Sequence, residues 1–167
     1  SSDLKLILNS NNRRVAEGYK TTYACNAAYR DTPADYYVVK DPIFFSEIPL
    51  NIYNKVFVSN DVWVTYRDAN LIPHFYYMDS GSTGAYLAAF DGHKTIYFLG
   101  FDGSGGDNHN NNIYSDTNGY LPLTGHWVED HMVMCLEIVM QAYSDVDFVR
   151  VMPTETWRCP DVWRNLL

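Results

Sequence analysis

Short apolar runs rich in Val, Ile, Tyr and Phe recur along this chain: LKLILN (4–9), TTYACN (21–26), DYYVVKD (35–41), KVFVSN (55–60), HFYYMD (74–79), TIYFLGFD (95–102) and VDFVRVMP (146–153). Several are continuous rather than alternating. A strand with one wet face alternates apolar and polar residues, whereas a strand covered on both faces does not. Between the runs, two segments carry helical spacing. In STGAYLAAFDGHK (82–94), Ser82 is placed to cap, Ala85, Tyr86, Ala88, Ala89 and Phe90 supply the apolar surface, and Gly92 supplies the stop. In HWVEDHMVMCLEIVMQAY (126–143), Val128, Met132, Cys135, Leu136, Val139, Met140 and Tyr143 recur at helical intervals, with Glu129 and Asp130 at the end the helix dipole favours. Strands alternating with helices imply right-handed crossovers. The expected fold is therefore α/β: a Rossmann-like, mainly parallel sheet with helices on both faces.

Neither a linker nor an internal repeat divides the 167 residues, and this length is ordinary for one core, so a single domain spanning 1–167 is expected. Hydrophobic residues at 47% against 19% charged exclude a chain disordered as a whole. Twenty acidic and twelve basic residues give a net charge of −8, and Lys and Arg form no run. Nucleic acid is therefore not an expected partner, although a small phosphorylated ligand needs only a few local donors. Cys25, Cys135 and Cys159 are odd in number and widely spaced, and read as buried thiols of a reducing compartment. There is neither a basic start followed by an apolar run nor a stretch of about 18 apolar residues, so the expected location is cytoplasmic, without a transmembrane segment. Trp157 and Trp163 suit a final helix or a partner chain, a homo-oligomer included.

Several strands finish in polar residues: Asn9 with Ser10, Asn11 and Asn12, then Asn26, Asp41 and Asp102. In an open parallel sheet the ligand crevice lies beyond the carboxyl ends of the strands. Asn and Asp also suit strand exits on conformational grounds alone, and both explanations remain open at each position. The polar stretch after Asp102, rich in Gly, Asn and Asp, is expected to be a lid over that crevice, with Tyr114 and Tyr120 as its bulky members. Its Asp102, Asp107, His109 and Asp116 match neither an EF-hand nor a zinc spacing, so no metal site is expected. In DSGSTGAY (79–86), Ser82, Thr83 and Gly84 open a helix whose free N–H groups suit an anion, with an ordinary Ser cap as the plain alternative. His126 precedes the second helix and is the preferred general base, ahead of His131. The chain has no G-x-S-x-G and no Cys beside a His, so covalent catalysis is not expected.

LILNSNN, YACNAAY, STGAYLAAFDGHKTIYFLGFD, an Asn-rich loop with IYSD, a His before CLEIV, and VRVMP follow one another in an order that resembles the bacterial sialyltransferases using CMP-sialic acid, glycosyltransferase family forty-two. The resemblance implies that Asn9, Asn26, Ser82, Thr83 and Gly84 contact the nucleotide, that Tyr114 holds the leaving phosphate, and that His126 takes the acceptor proton. It implies a nucleotide sugar such as CMP-sialic acid as donor substrate, a glycan acceptor, and no resident cofactor or metal. The family's glycine turn after the first strand is NSNNRR here, and Gly103 and Ser104 stand where it has Phe-Tyr, so Tyr120 is the candidate second tyrosine and Asp102 the polar residue at the strand end. Two alternatives remain: a non-catalytic binding domain that keeps the sheet, and a pyrophosphokinase-like enzyme with Mg²⁺ on Asp41, Asp102 and Asp107.

Overall fold

A computed structural model describes residues 4–8, 21–73, 77–101, 114, 117–120, 129–151 and 164–165, with the backbone alone at 4–8, 129–130 and 164–165. Eight strands, β1 (Leu4–Leu8), β2 (Thr21–Cys25), β3 (Tyr36–Val38), β4 (Val56–Val58), β5 (Asn70–Leu71), β6 (Thr95–Phe98), β7 (Asp147–Arg150) and β8 (Arg164–Asn165), form one sheet in the order β5-β4-β3-β2-β1-β6-β7-β8. Every neighbouring pair is parallel. β1 is the central strand, with Leu6 opposite Thr22 on one side and Tyr97 on the other. From β1 the chain winds outward to β5, returns to the far side of β1 as β6, and winds outward again to β8. The direction reverses between β1 and β6, which is the topological switch point of a Rossmann-like sheet.

The handedness of parallel crossovers then distributes the helices, because outward winding in opposite directions puts them on opposite faces. α3 (Ser80–Phe90) and α4 (Glu129–Ala142) pack on one face, over Tyr23, Val38, Ile96, Phe98 and Phe148. The other face is covered by two short helices, α1 (Pro42–Phe45) and α2 (Asn60–Trp63), and by the 3-10 turns Asn26–Arg30 and Leu50–Lys55. There Phe44, Phe45, Ile48 and Val62 pack on Ala24, Tyr37, Val56 and Val58. Tyr23 and Ala24 are neighbours in β2 that go to different cores, which is why the sequence run is unbroken.

α4 buries Cys135, Leu136, Val139 and Met140 as the spacing requires, with Val133 buried more deeply than Met132. α3 differs from expectation at its start. Asp79, not Ser82, is the cap: its carboxylate accepts from the Ser82 N–H at 2.9 Å, so the helix opens at Ser80. A carboxylate at this position also meets the positive end of the helix dipole. Of the strand expected at 74–79, residues 77–79 are not strand and form the approach to α3, while 74–76 lie outside the described residues. The strand here is β5, two residues long and lacking any apolar run. At its other end α3 stops at Gly92 as expected: Gly92 has φ +88 and donates to Ala89, and His93 donates to Ala88, closing a Schellman motif.

Tyr23 is fully buried, and its hydroxyl donates to the Asp91 carboxylate just past α3, tying the central sheet to the helix. Burial, then the nearby carboxylate, pushes this phenol well above its usual range. Tyr23→Phe keeps the ring and removes one charge-assisted bond worth about 1–2 kcal/mol. The expected loss is roughly 3–6 °C in the unfolding midpoint, read by circular dichroism, and Asp91→Ala on top of it should add little.

Candidate functional site

The strands direct their carboxyl ends to one edge, where Asn26, Lys40 and the start of α3 meet. Asn26 follows β2 with φ +50, a left-handed conformation that Asn tolerates better than most side chains. Its Oδ1 accepts from Ser80 Oγ at 2.7 Å. The Cys25 thiol donates to the Ser80 carbonyl at 3.3 Å, and burial pushes that thiol's pKa up. Tyr120 completes the set, with the Asn26 side chain and the Ala27 N–H as the neighbouring donors that pull its pKa down. Burial raises the Tyr120 pKa, against the pull of those two donors. Tyr114 stacks on Tyr120 with ring centres 6.0 Å apart and donates to Asp31 Oδ1 at 2.7 Å. Three of the expected residues, Asn26, Tyr114 and Tyr120, are thus brought together, and Ser80 joins them.

Ser82, Thr83 and Gly84 are placed differently. All three are buried. The Ser82 hydroxyl donates to the Asp79 carboxylate, and the Thr83 hydroxyl donates to the Asp79 carbonyl at 2.8 Å. A Cβ on Gly81 would stand 2.8 Å from the Phe101 ring, so an aromatic side chain lies against the first turn. The chain's own carboxylate thus occupies the place an anion would take at this helix start. Asn9, Asp102, Asp107 and His126 lie outside the described residues, as does the stretch 102–113.

Lys40 follows β3 and donates to the Met78 carbonyl. Burial lowers its pKa, opposed by Asp79, Cys135, Asp41 and Asp61. Burial raises the Asp41 carboxyl, opposed by Lys40. Among the described residues no three His, Cys, Asp or Glu side chains converge. On α4 the four-residue helical repeat places His131 Nε2 3.3 Å from Cys135 Sγ, a pair the linear sequence does not show as adjacent. Burial raises the Cys135 pKa.

A second polar cluster fixes residues 117–120 to α1 and the turn after β2. Arg30 donates to Thr117 Oγ1 at 2.7 Å, to the Asn118 carbonyl at 3.0 Å and to Glu47 at 2.7 Å. Glu47 also accepts from Tyr29 at 2.8 Å and from the Asn118 amide. The Arg30 guanidinium lies 5.8 Å from the centre of the Phe44 ring and 5.6 Å from that of Tyr114. The Asn118 amide, then Arg30, lowers the Glu47 carboxyl to about 2. A carboxyl depressed on folding adds stability above its ordinary pKa and loses it as pH falls through the folded value. The Arg30–Glu47 contact is therefore expected to survive at pH 5 and to be lost progressively from about pH 4 towards pH 2, which the Asn118 side-chain amide resonances report.

No helix among the described residues is long and apolar enough to cross a membrane. No protein-family model, curated protein or solved structure matches the chain.

Proposed function

We propose that the chain binds a nucleotide or a CMP-type nucleotide sugar at the carboxyl edge of its sheet and acts as a sialyltransferase-like glycosyltransferase. The observation that carries this is the convergence of the Asn26 amide, the Ser80 hydroxyl, Tyr114 and Tyr120 where a Rossmann-like sheet takes its ligand. In the proposed reaction the acceptor hydroxyl forms a bond to the anomeric carbon as the bond from that carbon to the phosphate breaks. His126 takes the hydroxyl proton and Tyr114 donates to the departing phosphate. Tyr114 must leave Asp31 to do so.

A second reading, a binding domain without catalysis, is favoured by two observations. Asp79 fills the helix start, and the Tyr114 hydroxyl is already committed to a carboxylate. Thermal unfolding with CMP, UMP, GMP and AMP, each with and without Mg²⁺, tests the site. CMP at about ten times its Kd should raise the midpoint by roughly 3–6 °C without metal, and Asn26→Ala and Ser80→Ala should abolish the rise. The absence of any shift at millimolar nucleotide would overturn the donor-site proposal. A CMP shift without sugar transfer, and unaltered by His126→Ala, would select the binding domain.

A further inference from the structure

We propose that Ser80 is a positioning residue, which holds the Asn26 amide with its carbonyl towards α3 so that Nδ2 is presented as a donor to the ring carbonyl oxygen of a pyrimidine base. The inference rests on the carboxyl-edge site described above and concerns which ligand atom that site recognises. A side-chain amide offers an acceptor on one side of Cγ and a donor on the other. Ser80 decides between them, because its Oγ donates to Asn26 Oδ1 at 2.7 Å. Turning the amide over would leave the hydroxyl hydrogen of a residue only 8% exposed without that acceptor, an unfavourable state for a buried donor. Nδ2 is therefore the group left to meet a ligand.

The backbone on both sides of this bond is held as well. Asn26 stands at φ +50 directly after β2. Opposite it, the Cys25 thiol donates to the Ser80 carbonyl at 3.3 Å, and Lys40, at the end of β3, donates to the Met78 carbonyl. Residues 78–80 are thus tied to the ends of two paired strands, and Ser80 cannot drift from Asn26 without breaking those ties. A donor fixed in this way needs no ordering when ligand arrives, which removes part of the cost of binding. Charge then selects the acceptor. Asp79 adjoins Ser80 and Asp41 adjoins Lys40, so two carboxylates stand here against one ammonium. A phosphate oxygen would meet that excess of negative charge, whereas a ring carbonyl carries no net charge. Cytosine and uracil both offer such a carbonyl, and adenine has none.

Isothermal titration of CMP, cytidine, AMP and ribose 5-phosphate into the unaltered protein, Ser80→Ala, Ser80→Thr and Asn26→Asp tests the assignment. Ser80→Ala should weaken CMP and cytidine by the same factor, about thirtyfold, and leave any binding of AMP or ribose 5-phosphate unchanged. Ser80→Thr keeps the hydroxyl and should recover most of the loss. Asn26→Asp keeps an acceptor for Ser80 but has no N–H to give, so it should fold and bind CMP at least as weakly as Ser80→Ala. The Asn26 side-chain amide resonances, assigned by their disappearance in Asn26→Asp, report the contact in the unaltered protein. Cytidine should shift them there and not in Ser80→Ala, and this titration stands even if a variant loses the native circular dichroism spectrum.

CMP affinity unchanged in Ser80→Ala would overturn the positioning role while leaving the nucleotide site standing. Ribose 5-phosphate weakened as much as CMP, with no binding of cytidine, would place a phosphate oxygen on Asn26 and overturn the carbonyl assignment. A loss in Ser80→Ala that Ser80→Thr does not recover, with the Asn26 amide unmoved by cytidine, would reduce Ser80 to a packing residue of α3. No nucleotide bound by the unaltered protein would overturn the site itself, and the role of Ser80 in it.

Discussion

Replacing Asp79 with alanine should lower the unfolding midpoint by roughly 6–12 °C, the cost of about 3 kcal/mol in a chain of this length. Two losses combine. An N-cap acceptor removed from a helix costs about 1 kcal/mol. Ser82 is then left 1% exposed with its hydroxyl deprived of the carboxylate it donates to, and a buried donor without an acceptor costs about 1–3 kcal/mol. Lys40, half-buried nearby, also loses the carboxylate that most favours its charge. Asp79→Asn keeps an acceptor for the Ser82 N–H and should cost well under half as much. The decisive check is a double-mutant cycle: Ser82→Ala should be destabilising alone and stabilising in the Asp79→Ala background, because the orphaned hydroxyl is then gone. Strict additivity would mean that Ser82 does not depend on Asp79. The cycle also bears on the ligand, since inorganic phosphate that stabilises Asp79→Ala but not the unaltered protein would show that the helix start binds an anion once its own carboxylate is removed.

The layer architecture was legible because burial on both faces leaves a mark that periodicity can detect. Tyr23 and Ala24, or Tyr37 and Val38, point to opposite cores, and the sequence records this as an unbroken apolar run. β5 left no such mark: Asn70–Leu71 is an edge strand of two residues, too short for any period. The start of α3 was misplaced because DSGSTG holds several good caps in succession. Ser82 is sound by propensity, but the preceding carboxylate caps the chain earlier, taking the Ser82 N–H and starting the helix at Ser80. That shift matters for the site, since it turns Ser82 inward and hands Ser80 the position beside Asn26. His131 and Cys135 become neighbours only on the helix, where a spacing of four residues brings side chains together. The pairing of Arg30 with Asn118, 88 residues apart, is set by how the chain returns across the sheet edge. Nothing local encodes it, although an exposed Arg with ring and carboxylate neighbours is what such a contact requires.

Gly119→Ala probes that return directly, and two costs arise together. The residue has φ +83, a conformation that costs an L-residue about 1 kcal/mol or more. An added Cβ would also stand 2.3 Å and 2.4 Å from Cε1 and Cζ of Phe44, which is 2% exposed and packed in the core beneath α1. The ring cannot swing into solvent, so overpacking adds roughly 1–3 kcal/mol. The protein has a cheaper outlet than crushing the core, which is to release residues 117–120. The expected result is therefore uneven. Amide exchange over 114–120 should rise by about a hundredfold, matching roughly 3 kcal/mol of local strain, while the global midpoint falls by only a few degrees. Phe44→Leu in the Gly119→Ala background should recover part of the protection by relieving the clash, with the backbone cost remaining. A large fall in the midpoint without faster local exchange would mean that this segment is part of the core rather than a clasp upon it. No change in either would mean that Gly119 does not rest on Phe44 at all.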